Sequence, residues 1–423
     1  MTWARQFGRL PAWVRYGIAA AVGMLVLTAV QSLEPGGLER LTSENASGAM
    51  LRWGMPILLA GLGGLYSERA GVVNIGLDGM MVLGTWFGAW GVLHGGPWMG
   101  LAYGLAGGAL GGLVHAVATV TFKVDHIVSG VAINILAPGV VRYLSSELFA
   151  EYAGGSITQS PSIAGLGNVT LPFLAGGNIF GWKSPDILGV VDRWDAFFIS
   201  DVAGFLRGFV ANVNIFSLIA LAAVPASAWL IWRTRFGLRL RIAGEHPTAG
   251  ESLGVNIYWQ KYKGVIISGA LSGLGGAFIA MELTGFYREG QVQGRGFIGL
   301  AALIFGNWRP GGILVAAFVF GYPFGTALRD LDGRSTHALM LLIVVGLAAM
   351  LVVSIRRAKP FDAALAGVLA VTFLVWYLLT DTAPSFLPNA LPFATVLLVL
   401  IFAGQRLRMP AADGKRYEKG QEL

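Results

Sequence analysis

The feature that most constrains this 423-residue chain is a series of apolar runs, each long enough to cross a lipid bilayer. A membrane-spanning helix needs about 20 mostly apolar residues. Only 13% of the residues are charged and the mean hydropathy is +0.65, whereas soluble proteins carry about 25% charged residues. The sequence therefore predicts an all-α, polytopic membrane protein. The apolar runs lie near residues 16–31, 98–121, 127–147, 211–232, 262–283, 338–355, 361–380 and 389–405.

Two further apolar regions are too long for one helix, and each is interrupted by polar or glycine-rich sequence. Region 51–93 contains SERAGVVNIG, and region 297–328 contains GNWRPGG. Because glycine and proline interrupt regular structure, each region is predicted to form two helical segments around a break. The chain is thus predicted to be a transmembrane helical bundle of about ten spans. Residues 1–423 are predicted to be a single transmembrane domain with a core over 51–405.

Positive charges predict the orientation of the chain, because lysine and arginine concentrate in cytoplasmic loops. With the N-terminus inside, most of the 30 basic residues fall on the inner side. We therefore expect a multi-pass protein of the inner membrane with both termini in the cytoplasm. The outer side is predicted to carry a loop over 148–210, and the inner side a loop over 233–261. The first apolar run is interpreted as a retained helix, since no clear cleavage sequence follows it. The net charge of +7 then reflects cytoplasmic loops and requires no nucleic-acid partner.

Four polar residues in the first break are candidates for function: Glu68, Arg69, Asn74 and Asp78. An ionisable group inside a membrane segment costs about 2.5–3.5 kcal/mol on insertion scales, so it ordinarily faces other helices or a water-filled path. The glycines among them allow an unwound backbone, whose N–H and C=O groups can meet a polar ligand. These residues either line the path of a solute or form an ordinary loop between two helices, and the residues alone favour neither.

The second break holds Asn307, Trp308 and Arg309. The tryptophan and arginine either contact an acid or mark the membrane interface, where arginine extends its charge toward water. Asn134 lies in the middle of a predicted span, and a lone membrane asparagine more often joins two helices than binds a ligand. Asn307 is therefore the candidate of this group for the solute pathway.

Signals for an enzyme are absent from the sequence. There is no GxxxxGK[ST] phosphate loop, no HExxH pair and no GxSxG, so the chain has no recognisable ATPase, metal or serine-hydrolase motif. It also contains no cysteine, which excludes disulfides and thiol chemistry. We expect no enzymatic activity, no metal and no cofactor in this chain.

Four stretches, in this order, resemble the inner-membrane permeases of ABC importers in the branched-chain amino acid, ribose and nucleoside class. The resemblance is greatest to the nucleoside and simple-sugar branch of that class, and together the stretches span about residues 66–321. They read SERAGVVNIGLDGMMVLG, HIVSGVAINILAPGVVRYL, GLRLRIAGEHPTAGESLGVNIYWQKYKGVIISGALSGLGGAFIAM and GRGFIGLAALIFGNWRPGGILVAAFVFG.

The resemblance implies a permease subunit that imports solute, with nucleosides as the expected solute, and leaves ATP hydrolysis to a separate ATP-binding subunit. A second permease chain, identical or different, and an external solute-binding protein are the other implied partners, besides membrane lipid. A cytoplasmic loop contacts the ATPase in this class. By position its leading residues here are Gly244, Glu245, His246 and Pro247.

The leading hypothesis places the solute pathway beside Glu68, Asn74, Asp78 and Asn307. A permease for simple sugars is one alternative. A stand-alone, ion-coupled secondary transporter is another, since broken helices with acidic residues fit it equally well. A membrane-embedded enzyme would require a clustered constellation of His, Asp or Ser, and none stands out in the sequence.

Overall fold

In the computed structural model, the described residues are 12–32, 41–172, 174–179, 181–327, 334–356, 358–380 and 407–420, with short pieces at 382, 390 and 393–397. Within them the chain is predominantly helical, which confirms the predicted all-α class. The helices are α1 (Ala12–Ser32), α2 (Glu44–Arg69), α3 (Leu77–Gly95), α4 (Pro97–Ala116), α5 (His126–Leu144), α6 (Ile187–Asp192), α7 (Ile199–Arg207), α8 (Ile215–Arg233), α9 (Arg235–Glu245), α10 (Pro247–Ser252), α11 (Ile257–Phe278), α12 (Arg295–Phe305), α13 (Pro310–Ala327), α14 (Arg334–Arg356) and α15 (Pro360–Leu379).

Three long helices end in wider π-helical turns that extend their length. These turns cover Val117–Thr121 after α4, Ser145–Phe149 after α5 and Ile279–Thr284 after α11. The few strands are two residues long. They are β1 (Asn168–Val169), β2 (Asn178–Ile179), β3 (Trp182–Lys183) and β4 (Val213–Asn214), and β2 pairs with β3 in antiparallel register.

Seven of the described helices are long and apolar enough to cross a membrane, and three shorter apolar segments accompany them. The chain is therefore a multi-pass membrane protein, while the count of about ten spans stays a prediction. The predicted spans coincide with helices to within about a turn at each end. The span predicted over 389–405 lies almost entirely outside the described residues.

Local sequence explains where several helices begin. Side chains of Asp125, Asn214, Thr234 and Asn256 accept hydrogen bonds from backbone N–H groups in the first turns of α5, α8, α9 and α11. Such caps satisfy donors that have no partner inside the helix. Proline occupies the first position of α4, α10 and α15, where its missing N–H is harmless.

The two predicted loops contain more regular structure than the sequence indicates. Residues 148–210 include β1, β2, β3, α6 and α7, and residues 233–261 include α9 and α10. In the second region a helix starting after Thr248 as its N-cap is a natural expectation from the sequence. In the structure α10 begins two residues earlier than such a helix would, at Pro247, with His246 as its N-cap, because the proline ring favours the first helical position.

The described chain forms two compact units, and the prediction of a single domain stays a prediction. The smaller unit comprises Met1–Met50, Val169–Val213 and Pro323–Leu391. In it the side chain of Arg207 pairs with both Glu44 and Asp186. The ring of His337 stacks on that of Tyr377 with centroids 4.4 Å apart, which joins α14 to α15.

The larger unit comprises Leu51–Asn168, Asn214–Tyr322 and Pro392–Leu423. Its centre is the packing of α3, α4 and α11, where glycines let the backbones touch. A Cβ atom on Gly108 would collide with the backbone of Gly269 and Gly273, and one on Gly112 would lie 2.6 Å from the carbonyl oxygen of Val265. Small residues at membrane-helix interfaces allow this close approach. The glycine contact between α4 and α11 joins two helices whose side chains contact the first break.

Candidate functional site

The first break covers residues 70–76, between α2 and α3, with turns at both ends and neither helix nor strand over residues 72–74. The N–H groups of residues 70–72 bond to carbonyls at the end of α2, but the remaining polar groups of the break need partners from elsewhere. The N–H of Val73 donates to Nδ1 of His126 (3.3 Å), and the Val73 carbonyl lies 3.1 Å from Nε2 of His115. The ammonium of Lys261 donates to the carbonyl of Gly71 (3.1 Å). The break is therefore held by side chains from α4, α5 and α11.

Asn74 lies inside the first break and is completely buried. Its amide nitrogen donates to the hydroxyl of Ser268 (2.9 Å), and its carbonyl oxygen accepts from the N–H of Gly76 (3.0 Å). Asn134 completes the support on the same side. It donates to the carbonyl of Ile75 (3.0 Å) and accepts from the N–H of Gly79 (2.7 Å). Asn134 thus joins two helices, as the sequence indicates.

Asp78 follows the break, in the first turn of α3, and is half-buried. Its carboxylate accepts a hydrogen bond from the N–H of Gly296 (2.9 Å), at the start of α12. The guanidinium of Arg295 stacks on the ring of Trp53, 4.8 Å from its centroid, and contributes positive charge near Asp78. A carboxylate beside a helix N-terminus is electrostatically favourable.

The second break covers residues 306–309, between α12 and α13, and is a tight turn. Asn307 and Trp308 adopt the left-handed conformation, with φ of 52° and 53°. The indole N–H of Trp308 donates to the buried carboxylate of Glu68 (2.5 Å), and the Trp308 carbonyl accepts from Arg69 (3.1 Å). Of the pair predicted to contact an acid or mark an interface, Trp308 contacts the acid. Arg309 is exposed.

Helix α12 connects the two breaks. Its 11 residues correspond to about 16 Å of helix. Gly296, near the start of α12, contacts Asp78, which follows the first break in the sequence. Trp308, just after the end of α12, contacts Glu68, which precedes the first break. The four residues predicted for the pathway therefore fall into two groups. Glu68 and Asn307 flank one end of α12, Asp78 flanks the other, and Asn74 is enclosed between them.

The predicted coupling residues lie directly on the first break. A Cβ atom on Gly244 would be 2.5 Å from the carbonyl oxygen of Arg69, so only glycine permits this approach. Arg69 also pairs with Glu245 at 3.2 Å. His246 is exposed and precedes α10, while Pro247 is the buried first residue of that helix. The end of α9 thus contacts the residues at which the break begins.

Several residues of this site have no signal in the sequence. Lys261, His115 and His126 read as helix-end or core residues, and only the fold brings them to the break. Asp413 reads as part of a solvated tail, yet it is 6% exposed and its carboxyl faces that of Glu68. Burial raises the pKa of Asp413 to about 9, and the negative charge of Glu68 adds to the rise.

Taken together, the described site is a buried polar network with two interrupted helices and no cleft of catalytic side chains among the residues described. Such interruptions are typical of proteins that move a solute between the two sides of a membrane. The fold and site therefore define a membrane permease. Residues 48–325 match the family described as branched-chain amino acid transport system / permease component, and the chain belongs to this family.

Individual relatives agree with this assignment. The chain is 36% identical over 284 residues to the guanosine ABC transporter permease protein NupQ of Bacillus subtilis, covering 65% of this chain and 79% of the relative. It is 33% identical over 281 residues to the nucleoside ABC transporter permease protein NupC of Lactococcus lactis, covering 64% and 78%. It is 32% identical over 276 residues to the putative glucose ABC transporter permease protein TsgC13 of Haloferax volcanii, covering 65% and 74%. No solved structure matches the chain.

Proposed function

We propose that this chain is the permease subunit of an ATP-driven importer and that its solutes are nucleosides. The observation that carries the ATP-driven part is the contact of Gly244 and Glu245 with Arg69. Through it, a push on α10 from a partner reaches the first break without an intervening flexible segment. The face that bears α10 is then cytoplasmic, and the distribution of Lys and Arg in the sequence favours a cytoplasmic location for both termini.

The partners follow from the same proposal. An ATP-binding subunit docks on the exposed face of α10, because this chain has no phosphate-binding loop of its own. A second permease chain completes the pathway, and a solute-binding protein delivers solute from outside. Two organisms support a pair of unlike permeases. Bacillus subtilis has NupP beside NupQ, and Lactococcus lactis has NupB beside NupC, all similar to this chain.

For the pathway, we propose that Glu68, Asn74, Asp78 and Asn307 border the route of the solute in different ways. Asp78 and Asn307 are half-buried and face the route directly. Glu68 and Asn74 are buried as well as bonded to protein groups in this conformation, so they act by stabilising this arrangement of the break. Alternating access requires the break to have two arrangements, and these bonds define the one described here.

The proposed solute class is supported by two nucleoside relatives at 36% and 33% identity. Simple sugars are the second candidate, because a putative glucose permease is 32% identical. A nucleoside contains both a sugar and a planar base, so competition separates the two. If a nucleoside blocks uptake and free glucose or ribose does not, the base is recognised.

The test is uptake into vesicles that contain the permease with the proteins that co-purify from its native membrane. We expect labelled guanosine or uridine to enter only when ATP is supplied on the side of the ATP-binding subunit. Leu253, directly after α10, is 77% exposed and lies on the proposed docking surface. Leu253→Glu should therefore abolish ATPase binding, whereas Leu253→Met, which stays apolar, should retain it. Uptake driven by a sodium or proton gradient, with no ATPase recovered, would instead establish a secondary transporter.

A further inference from the structure

The C-terminal segment, residues 407–420, has the sequence LRMPAADGKRYEKG and the composition of a solvated tail. In the structure, part of this segment is instead packed against the rest of the chain. Ala412 is 4% exposed, and Asp413 and Tyr417 are each 6% exposed. A polar tail loses conformational entropy when it is ordered, so specific contacts must hold it. Those contacts reach both breaks and α10.

At the breaks, the segment bonds through its backbone. The N–H of Arg408 donates to the side-chain oxygen of Asn307 (2.8 Å), in the second break. Gly414 lies against Val73, in the first break. Between them, the N–H of Ala412 donates to the carbonyl of Gly244 (2.8 Å). One short segment therefore contacts both breaks and Gly244, the residue through which α9 contacts the first break.

Around α10, the segment bonds to two acidic residues, one at the end of α9 and one inside α10. The N–H of Ala411 donates to Glu245 (3.2 Å), and the hydroxyl of Tyr417 donates to Glu251 (2.5 Å). The ring of Tyr417 packs with Ala243 and Ile257 in an apolar cluster. The segment thus contacts the chain just before α10, at Glu245, and near the end of α10, at Glu251.

The segment leaves the other face of α10 open. His246, just before α10, Ala249 within it and Leu253, just after it, are exposed. A partner can dock on these residues while the segment stays in place. The arrangement is therefore that of a brace between α10 and the breaks, and it does not mask the proposed ATPase surface.

The brace includes a buried acidic pair. Asp413 faces Glu68 of α2, and the surrounding cations are Lys261 of α11 and Arg69. Neither oxygen of Asp413 makes a well-formed hydrogen bond to a donor of the described residues, and the N–H of Gly414 is its nearest backbone donor. Two carboxyl groups can bond to each other only when one of them carries a proton. Docking of the segment therefore takes up a proton from solvent.

We propose that residues 407–420 form a proton-sensitive brace, which carries the movement of α10 to both breaks. This rests on the proposed function, in which an ATPase moves α10. When the segment is docked, the breaks and α10 shift as one body. When it is released, α10 still binds the ATPase, but part of its movement is lost before it reaches Trp308 and Asn307.

The sign of the pH dependence follows from linkage. The undocked Asp413 titrates near its ordinary value of 3.8, whereas the docked residue has a pKa of about 9. Between these values the docked state binds more protons, so docking weakens as the pH rises through this window and changes little above it. Asp413→Asn carries no charge and keeps the shape, so it should remove the dependence.

Docking can be measured directly because the chain has no cysteine. Ala412→Cys places a thiol at a buried position, and Ala411→Cys places one at the exposed neighbouring position as the matched control. The ratio of their maleimide labelling rates removes the ordinary pH effect on thiol reactivity. We expect the ratio to rise as the pH increases toward 9, and to stay flat when Asp413→Asn is added. A ratio that is independent of pH, or that still rises with Asp413→Asn, would overturn the proton-sensitive brace.

Coupling is tested in vesicles with the ATP-binding subunit present. Removal of residues 407–423 should leave ATPase binding intact and lower the solute imported per ATP hydrolysed by about fivefold, the low end of ordinary coupling between sites. Tyr417→Phe keeps the ring and loses only the bond to Glu251, so it should cause a smaller loss in the same direction. An unchanged ratio in both variants, or a higher one, would refute the brace. Absence of ATP-driven uptake in the unaltered protein would refute the proposed function instead.

Discussion

The two breaks interrupt helix pairs in similar ways, but they satisfy their backbones differently. The second break is a tight turn whose N–H groups bond to nearby carbonyls, from Asn307 to Ile304 (3.0 Å) and from Trp308 to Leu303 (3.2 Å). The first break bonds locally only at its start, where the N–H groups of residues 70–72 meet carbonyls of α2, and beyond that it depends on side chains from three other helices. Because burial leaves no water to replace a lost bond, the backbone of the first break depends more on distant residues than that of the second, whose distant partners are Glu68, Arg69 and Arg408. A signal from α10 is therefore expected to act on the first break.

The test with the largest expected effect replaces by alanine one glycine next to each break. A Cβ on Gly244 would meet the backbone of Arg69 and Gly71, so Gly244→Ala should cost about 3 kcal/mol of stability, at the upper range for overpacking. It should also reduce ATP-driven uptake. Gly311→Ala is the matched control, since nothing lies within 4 Å of its Cβ position. Thermal unfolding in detergent and vesicle uptake measure both effects, and equal losses would contradict the comparison.

The two asparagines give a smaller test. Asn74→Ala leaves the hydroxyl of Ser268 and the N–H of Gly76 without their buried partner, which costs about 2 kcal/mol. Asn307→Ala should cost about 1 kcal/mol, mainly because alanine disfavours the left-handed backbone. Asn307→Gly should then restore most of that stability, whereas Asn74→Gly should not. If glycine rescues neither residue or both, the difference between the breaks is wrong.

The smallest test concerns the bond that ties the breaks together, from Trp308 to Glu68 (2.5 Å). Trp308→Phe removes the donor and Glu68→Gln removes the charge. A double-mutant cycle of unfolding free energies should give a coupling of about 1 kcal/mol, below the roughly 1.5–3 kcal/mol of a bond to a charged group, because the glutamine oxygen still accepts the indole N–H. A coupling near zero would mean that the breaks are energetically independent.

Much of the fold could be predicted from local sequence. Apolar length located the spans, and Gly, Pro and charged residues located both breaks, because a helix in lipid cannot be interrupted without such residues. The position of Asn134 in the middle of a span also predicts a hydrogen bond between helices, and the structure contains that bond. These features depend on residues close together in the chain, so the pattern itself contains the physical reason.

The partners within the site could not be predicted in this way. Glu68 and Trp308 are 240 positions apart, and many acidic and aromatic residues of the sequence could have met instead. Asp413 lies in a stretch whose composition indicates solvent exposure, and its burial depends on the shape of a surface formed by α2, α9 and α11. Hydrogen bonds of this kind are decided by packing, which no periodicity in the sequence reveals.

The glycine contact between α4 and α11 has a mechanical consequence. Where Gly108 and Gly273 meet, no side chain separates the two backbones. One helix therefore cannot slide or rotate against the other by rearranging side chains between them. Stiffness is therefore concentrated in that pair, and compliance is left to the stretches that lack helical bonds. Deformation of the larger unit is therefore expected in stretches without helical hydrogen bonds, among them residues 70–76 and 306–309, and not between α4 and α11.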